Sequence, residues 1–218
     1  MGSHIVFAEK LSRHRSELQV FVATKNAGKL RELQAIFGAL GWTLEEFADY
    51  CDPEEVESSY AGNAALKARA LSTQLRAAGI SAAALGDDSG LEVGALDGKP
   101  GVRSARYGAP GAGWRERRAT LLGEVERTGS TDRSARFVCA LHLVIPDGRE
   151  FETLGTIEGR LAESERGEAG FSYDPIFEYP PCGRTFAELS ESEKNVVSHR
   201  ARAAARMAAA YTGGDARN

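Results

Sequence analysis

Cysteine is scarce in this sequence. The three cysteines, Cys51, Cys139 and Cys182, lie far apart and form no C-x-x-C pair. A disulfide framework or a zinc knuckle needs an even set or closely spaced pairs, so we expect neither. A few isolated thiols are typical of proteins in a reducing compartment, and we therefore predict a cytoplasmic protein.

Long apolar runs and an excess of positive charge are also missing. No apolar run approaches the roughly 18 residues that cross a membrane, and we expect neither a membrane span nor a signal peptide. The formal net charge is −4 and the isoelectric point about 5.7, whereas a dedicated nucleic-acid binder usually has a strongly basic domain. Nucleic acid is therefore not an expected partner, but a local basic pocket for a small anion is compatible with this charge.

The length of the chain predicts the domain organisation. At 218 residues, 42% of them hydrophobic, the chain is long enough for one well-buried domain. Residues 1–17 begin with Met-Gly-Ser-His, which resembles vector sequence, and we exclude this N-terminal extension from the functional argument. We predict one domain over residues 18–212 and a short tail over 213–218.

The spacing of apolar residues predicts a mixture of strands and helices. The predicted strands are 18–23, 42–47, 82–85, 91–93, 135–145 and 149–157. Apolar residues recur at helical spacing over 30–40, in a helix whose start is considered below, and the other predicted helices are 63–79, 114–127 and 198–211. Residues 86–90 are interpreted as a polar turn, and 98–113 and 167–183 as irregular stretches. Strands and helices do not alternate strictly and the central hairpin is antiparallel, so we predict an α/β or α+β fold with a mixed sheet.

The stretch TKNAGK, residues 24–29, contains two residues that are unfavourable at the start of a helix. Asn26 is a good N-cap, which makes Ala27, Gly28 and Lys29 the first turn. Glycine weakens a helix by about 1 kcal/mol relative to alanine, and a lysine there faces the positive end of the helix dipole. A bound anion would explain both residues, because the N–H groups of a first turn bind anions. A solvated lysine at an ordinary turn is the alternative.

Two aspartates lie between glycines in the stretch GDDSG, residues 86–90. Neighbouring residues of a strand face opposite sides, so only one of Asp87 and Asp88 can point into a given site. A carboxylate at this place suits Mg²⁺, which takes oxygen ligands and keeps several waters. The alternative is an Asp-rich turn that caps its own backbone.

Acidic residues precede the second predicted helix. Glu54, Glu55 and Glu57 are followed by Asn63 and Lys67. The last two are four residues apart and share one helix face, from which both could reach an anion. A solvated helix face is equally compatible with this spacing.

The stretch GFSYDPIF, residues 170–177, places aromatic residues on both sides of Ser172, with Asp174 following. An aromatic ring could stack on a nucleobase, and the carboxylate could accept hydrogen bonds from ring N–H groups. A loop packed into the core is the alternative.

In the stretch EKNVVSHR, Ser198 is the best N-cap, so His199 and Arg200 occupy the first turn of the last helix. Cations at the positive end of a second helix, together with Lys194, suggest a polyanion held between this helix start and the one at Lys29.

Together these stretches resemble the inosine triphosphate pyrophosphatase family, house-cleaning enzymes that act on dITP, ITP and XTP. Each motif is weak alone, but six in register make a chance match very improbable. The motifs, in family order from Val20 to about Tyr211, are T-x-N-x-x-K from Thr24, E-x-x-x-[ST]-[FY]-x-x-N-A-x-x-K-A from Glu55, DDSGL from Asp87, PGVRSARY from Pro100, GF-x-YDP from Gly170 and K-x-x-x-SHR from Lys194.

The resemblance implies a long mixed sheet with flanking helices that form two lobes, a nucleotide cleft between the lobes, and a homodimer. It implies Mg²⁺-dependent hydrolysis between the α and β phosphates, which gives a nucleoside monophosphate and pyrophosphate. Asp88 would be the general base and a metal contact, and Glu55 would support the metal. The implied substrate-binding residues are Thr24, Lys25, Asn26, Ala27, Gly28, Lys29, Lys67, Ser89, Phe171, Ser172, Tyr173, Asp174, Lys194, His199 and Arg200.

The sequence departs from the family pattern at two positions. Ser172 stands where the family usually has glycine, and Glu57 replaces a glycine, which leaves Glu54 as an alternative to Glu55 for the metal. Two other functions are kept as alternatives. One is a catalytically weak nucleotide-binding module, and the other is a related septum-inhibition pyrophosphatase that acts on pyrimidine or modified nucleotides.

Overall fold

The structure, a computed structural model, describes residues 18–54 and 56–215. The strands in these ranges are β1 (Gln19–Ala23), β2 (Thr43–Glu46), β3 (Ala83–Val93), β4 (Ser134–Val144), β5 (Glu150–Leu161), β6 (Phe177–Tyr179) and β7 (Arg184–Thr185). The helices are α1 (Ala27–Ala39), α2 (Tyr60–Ala77), α3 (Trp114–Thr128), α4 (Glu191–Val197) and α5 (His199–Asp215). None of these helices is both long and apolar enough to cross a membrane.

The described strands form one mixed sheet in the order β2-β1-β3-β4-β5-β6-β7. Strand β1 pairs in parallel with β2 and β3, whereas every pair from β3 to β7 is antiparallel. The predicted α/β fold with a mixed central sheet and flanking helices is therefore confirmed. The division into two lobes stays a prediction.

Helices pack on both faces of the parallel half of the sheet. On one face Leu33 of α1 and Met207 of α5 pack with Val22, while on the other Leu71 of α2 packs with Phe21. Phe21 and Val22 are neighbours in β1, so the strand alternation sends them to opposite cores. Full burial of such a side chain stabilises the fold by about 1.5–3 kcal/mol, which outweighs the unfavourable residues at the start of α1.

The antiparallel half of the sheet has a second core. Leu121 of α3 packs there with Phe137 of β4 and with Phe177 and Phe186, all of them buried. The Phe137 and Phe177 ring centroids are 4.5 Å apart. This core supports the loop that precedes β6, which carries part of the candidate site.

The prediction of a polar turn at residues 86–90 is wrong. Strand β3 runs without interruption from Ala83 to Val93. A Cβ atom at Gly86 would lie 2.1 Å from the Ala64 carbonyl oxygen of α2, and one at Gly90 would lie 2.3 Å from the Gly101 carbonyl oxygen. These glycines therefore let neighbouring backbone approach the strand, and they do not form a turn.

Helix boundaries also differ from the expected ones. Helix α2 starts at Tyr60, earlier than expected, because Ser59 Oγ accepts a hydrogen bond from Gly62 N at 3.1 Å. Helix α5 continues past Tyr211 to Asp215.

Helix α4 was not predicted, although its signal is present in the sequence. Ser190 Oγ accepts from Glu193 N, and the Glu193 carboxylate accepts from Ser190 N. This reciprocal pair is a capping box. The irregular stretch predicted over 167–183 also contains β6.

Candidate active site

The candidate site lies where β1 ends and β3 continues. The two strands pair from Val20–Ala83 to Ala23–Gly86, so the two aspartates of β3 lie just beyond the end of β1. In open α/β sheets, ligands bind outside the carboxyl ends of parallel strands. A cavity of about 620 Å³, including its mouth, opens at this point, within the range of roughly 300–1,000 Å³ that is usual for small-ligand sites.

Most of the residues that the family resemblance implies line this cavity. They are Asn26, Lys29, Lys67, Asp88, Ser89, Phe171, Ser172, Tyr173, Asp174, His199 and Arg200. Gly28 and Lys194 line an adjoining cavity of about 480 Å³, and the Phe171 ring is a wall of both cavities. The structure therefore brings together residues that are up to 174 positions apart in sequence, from Asn26 to Arg200.

The remaining implied residues lie beside the cavity or outside the described residues. Thr24 is half-buried, while Lys25 and Ala27 are exposed at the start of α1. Of the two carboxylates considered for the metal, Glu54 is exposed, and Glu55 lies outside the described residues.

Helix α1 starts as predicted. Asn26 Oδ1 accepts hydrogen bonds from Gly28 N at 2.9 Å and from Lys29 N at 3.1 Å, and Asn26 N donates to Thr24 Oγ1. A Cβ at Gly28 would lie 3.1 Å from the Phe171 ring. The glycine is thus needed for the close approach of this ring, a reason that the helix pattern alone did not indicate.

Asp88 faces α2. Its Oδ2 accepts from Asn63 Nδ2 at 3.2 Å, and its Oδ1 accepts from Lys67 Nζ at 3.4 Å. Asn63 and Lys67 share one helix face, as predicted, but both are at least nine-tenths buried. The solvated-face alternative is therefore wrong, and the face is built around a carboxylate that lines the cavity.

Asp87 faces the opposite side of β3, towards α1 and α5. Its carboxylate accepts from Lys29 Nζ at 2.5 Å and from Arg200 Nε at 3.1 Å. Burial alone would raise the pKa of Asp87, but the charges of Lys29 and Arg200 outweigh it and hold this pKa well below its usual range. As expected for neighbours in a strand, only one of the two aspartates, Asp88, lines the cavity.

An aromatic ring and two charged groups, Asp174 and Arg200, form the far wall of the cavity, and Lys194 of the adjoining cavity lies behind them. The Phe171 ring centroid lies 4.8 Å from Lys194 Nζ and 5.3 Å from the guanidinium carbon of Arg200. Asp174 Oδ2 accepts from Lys194 Nζ at 2.7 Å and from Phe171 N at 2.8 Å. Burial raises the pKa of Asp174, and Lys194 opposes this effect. A flat ring bounded by donors and an acceptor is suited to a planar, polar ligand.

His199 is not the cation that its position suggested. Its ring stacks on Phe137 with centroids 4.7 Å apart and an interplanar angle of 12°. Burial, followed by the nearby charges of Arg200 and Lys194, lowers the pKa of His199 well below its usual range. The imidazole is therefore neutral near pH 7, and the prediction of a charged histidine at the helix start is wrong.

The other supposed misplaced cations have partners inside the protein. Lys29 and Arg200 share Asp87, and Arg200 Nη1 also donates to Glu32 Oε2 at 3.1 Å. Lys194 belongs to α4 and not to the helix that starts at His199, and its Nζ donates to Asp174 Oδ2. The N-cap assignment itself is confirmed, because Ser198 Oγ accepts from Ala201 N at the start of α5.

Ser172 adopts a backbone conformation that favours glycine. Its φ is +60°, which costs a residue with a side chain about 1–2 kcal/mol. Its carbonyl oxygen accepts from Arg118 Nη1 of α3 at 2.7 Å. The arginine holds the loop in this conformation, which places the neighbouring Phe171 ring over the start of α1.

Comparison with known proteins identifies the family. The profile of the Ham1 family matches residues 20–210. The chain belongs to the Ham1 family. It is 43% identical over 198 residues to a dITP/XTP pyrophosphatase of Exiguobacterium sibiricum, covering 89% of this chain and 98% of that protein. It is also 44% identical over 199 residues to a dITP/XTP pyrophosphatase of Thermus thermophilus, covering 90% and 93%.

A solved Ham1 structure has the same fold. The HAM1 protein from Coxiella burnetii superimposes with a TM-score of 0.79 at 36% identity, covering 90% of this chain and 99% of that one. The resemblance that the six motifs indicate is thereby confirmed.

Sequence reasoning missed three side chains of the candidate site. Glu32 Oε2 accepts from Lys194 and Arg200, Cys139 Sγ lies 3.3 Å from Asp87 Oδ2, and Arg118 binds the Ser172 carbonyl. Glu32 had a usable signal, since it stands three residues after Lys29 and so shares its helix face. Cys139 and Arg118 had none, because only the tertiary fold brings them to the site.

Proposed function

We propose that this Ham1-family chain hydrolyses dITP, ITP and XTP to the nucleoside monophosphate and pyrophosphate, with Mg²⁺, and so clears non-standard purines from the nucleotide pool. The enzyme class, a nucleoside triphosphate pyrophosphatase, follows from relatives of that name that match over most of both chains. The observation that carries the substrate proposal is the cavity itself. It joins a carboxylate, Asp88, to lysines on one side and to a ring with polar neighbours on the other.

The residues present fit Mg²⁺ in the way that nucleotide enzymes usually hold it. Among the described residues no three His, Cys, Asp or Glu side chains are grouped as a metal cage. Mg²⁺ is usually bound by one or two carboxylates together with substrate phosphates, and Asp88 lines the cavity as one such carboxylate. When bound, the ion neutralises phosphate charge and favours deprotonation of a water.

Asp88 is proposed as the general base that takes the proton from the attacking water. Asn63 and Lys67 fix both of its oxygens, which gives the carboxylate one orientation. Lys29 and Lys67 both line the cavity. Lys29 would bind the phosphates equally in the ground state and the transition state, whereas Lys67, which contacts Asp88, would neutralise the charge that grows on the leaving pyrophosphate. Such preorganised charge is usually the largest contribution to catalysis.

Base selection is proposed to depend on Arg200 and Asp174. Arg200 has five N–H groups and donates three to Asp87, Glu32 and Ser89. Since Arg200 also lines the cavity, we propose that one of the others donates to an O6 acceptor. Asp174 receives both of its described hydrogen bonds on Oδ2, which leaves Oδ1 for an N1–H donor. Adenine reverses both positions and would leave buried polar groups unpaired, a mismatch that discriminates strongly.

The test is pyrophosphate release from dITP, ITP, XTP, GTP and ATP at fixed Mg²⁺. We expect kcat/KM for ATP to be lower than for ITP by at least about 10². Pyrophosphate release that requires a pyrimidine or modified nucleotide would support the septum-inhibition alternative. Binding of dITP with no release would support the binding module.

We further propose a homodimer, as the family resemblance implies, located in the cytoplasm, as the few isolated cysteines suggest. Light scattering after size exclusion is expected to give twice the chain mass of 23.4 kDa. A mass equal to that of one chain at micromolar concentration would contradict the dimer.

A further inference from the structure

One fully buried carboxylate of β3 joins both ends of the candidate site. Asp87 is 1% exposed and is not part of the cavity lining. Its four described donors come from α1, β3, β4 and α5, and they are Lys29, Ser89, Cys139 and Arg200.

Each oxygen of this carboxylate holds one cation. Oδ1 accepts from Lys29 Nζ at 2.5 Å and from Ser89 Oγ at 2.7 Å. Oδ2 accepts from Arg200 Nε at 3.1 Å and from Cys139 Sγ at 3.3 Å. The two cations are therefore fixed by opposite sides of the same planar group.

The two cations belong to different parts of the substrate site. Lys29 stands at the start of α1, beside the phosphate end, and Arg200 lies under the Phe171 ring, beside the base end. Both line the cavity that Asp87 itself does not reach.

We propose that Asp87 is a positioning residue that fixes the phosphate-binding Lys29 and the base-reading Arg200 relative to each other. This proposal rests on the proposed function of the cavity. Asp87 acts through these two side chains and does not touch the substrate. Asp87 thereby sets the distance between Lys29 and Arg200, and one bound nucleotide must span that distance.

Charge and position predict opposite effects when Asp87 is changed. Asp87→Asn removes one negative charge beside the phosphate end, so charge alone would tighten the binding of pyrophosphate. Loss of position would weaken binding instead, because a lysine side chain has many rotamers and no longer has its partner. The sign of the change in pyrophosphate affinity therefore separates the two explanations.

The experiment measures pyrophosphate and IMP affinities by calorimetry, and kcat and KM for dITP, in wild type and Asp87→Asn. We expect pyrophosphate affinity to fall and KM to rise by at least about tenfold, while kcat stays within about threefold of wild type. Asp147→Asn, the same change at an exposed hairpin turn, is the matched control. Unchanged or tighter pyrophosphate binding would overturn the proposal, as would a fall in kcat at unchanged KM.

A double-mutant cycle separates positioning from general damage. If Asp87 acts through Lys29, Asp87→Asn will cost no further pyrophosphate affinity in a Lys29→Ala background. Fully additive losses would contradict the proposal.

A second measurement needs no variant and covers the case in which Asp87→Asn does not fold. In a crystal structure of the wild-type protein with pyrophosphate and IMP, Lys29 Nζ and Arg200 Nε should both remain within about 3.5 Å of the Asp87 carboxylate. Separation of either cation from Asp87 would overturn the proposal. Failure of the proposed function would look different, since wild type would then neither bind pyrophosphate nor hydrolyse dITP.

Discussion

Asp87 and Asp88 are neighbours in β3, but their environments differ sharply. Asp87 is enclosed between α1 and α5 and accepts from two cations at 2.5 and 3.1 Å. Asp88 faces α2, lines the cavity, and accepts from Asn63 and Lys67 at 3.2 and 3.4 Å. One aspartate is thus tied to two cations inside the fold, while its neighbour lines the cavity.

The largest expected effect is at Asp88. Asp88→Asn removes the proposed general base, so kcat for dITP should fall by about 10²–10⁴. Binding of dITP should survive, because a charge that repels phosphate is removed. The measurement is kcat by pyrophosphate release together with dITP affinity by calorimetry. A variant that retains more than about a tenth of wild-type kcat would exclude Asp88 from this role.

Lys29 tests whether the cation held by Asp87 also binds phosphate. Lys29→Ala should weaken pyrophosphate by about tenfold or more, since hydrogen bonds to charged groups contribute about 1.5–3 kcal/mol. Inosine, which has no phosphate, should bind as it does to wild type. Lys99→Ala, at an exposed lysine, is the control. Equal pyrophosphate affinity in wild type and Lys29→Ala would show that Lys29 pairs with Asp87 but does not bind phosphate.

A substitution of His199 tests whether this side chain at the start of α5 is buried and neutral in the folded protein. Its pKa is well below the usual range in the folded protein, chiefly because of burial, whereas the unfolded chain takes up a proton below about pH 6.5. The unfolded state then binds more protons, so the free energy of unfolding should fall as pH falls below about 6.5, by about 1.4 kcal/mol per pH unit.

Urea unfolding at pH 7.5 and pH 5.5 checks this expectation. The decrease between the two pH values should be smaller in His199→Gln than in wild type. Equal decreases in both proteins would show that the imidazole does not stay neutral in the fold.

The smallest effect is expected at the loop that places Phe171. Ser172→Gly relieves the left-handed conformation, which costs about 1–2 kcal/mol, but glycine loses more chain entropy on folding. The net gain in stability should be up to about 1 kcal/mol, or about 2–4 °C in Tm for a chain of this size. Asp97→Gly is the matched control, because Asp97 has a φ of +52° but lies outside the cavity lining. Both variants should gain stability, and only Ser172→Gly should change KM for dITP. A Tm below that of wild type in Ser172→Gly would contradict the strain.

Local signals in the sequence were sufficient for the helix starts at the site. Asn26 and Ser198 were correctly predicted as N-caps because capping depends on residues within one turn. The shared face of Asn63 and Lys67 follows from helix geometry alone. The six motifs then gave the family and the fold class.

Long-range contacts could not be predicted in the same way. Gly86 and Gly90 resemble turn residues, and only the tertiary fold shows that they lie inside β3 and make room for α2 and for the Gly101 backbone. The charge state of His199 depends on its burial against Phe137, and the role of Asp87 depends on α1 and α5 meeting at β3. Such features arise from packing between distant segments.

The measurement that tests the central claim most directly compares Asp87→Asn with Asp88→Asn in one assay. Both substitutions replace a negative carboxylate by a neutral amide, and the two positions are neighbours in the same strand. Steady-state hydrolysis of dITP with Mg²⁺, together with pyrophosphate affinity, should show a rise in KM with kcat preserved for Asp87→Asn. For Asp88→Asn it should show a fall in kcat with affinity preserved. If both variants lose the same parameter to the same degree, the division of binding and chemistry between the two faces of β3 is wrong.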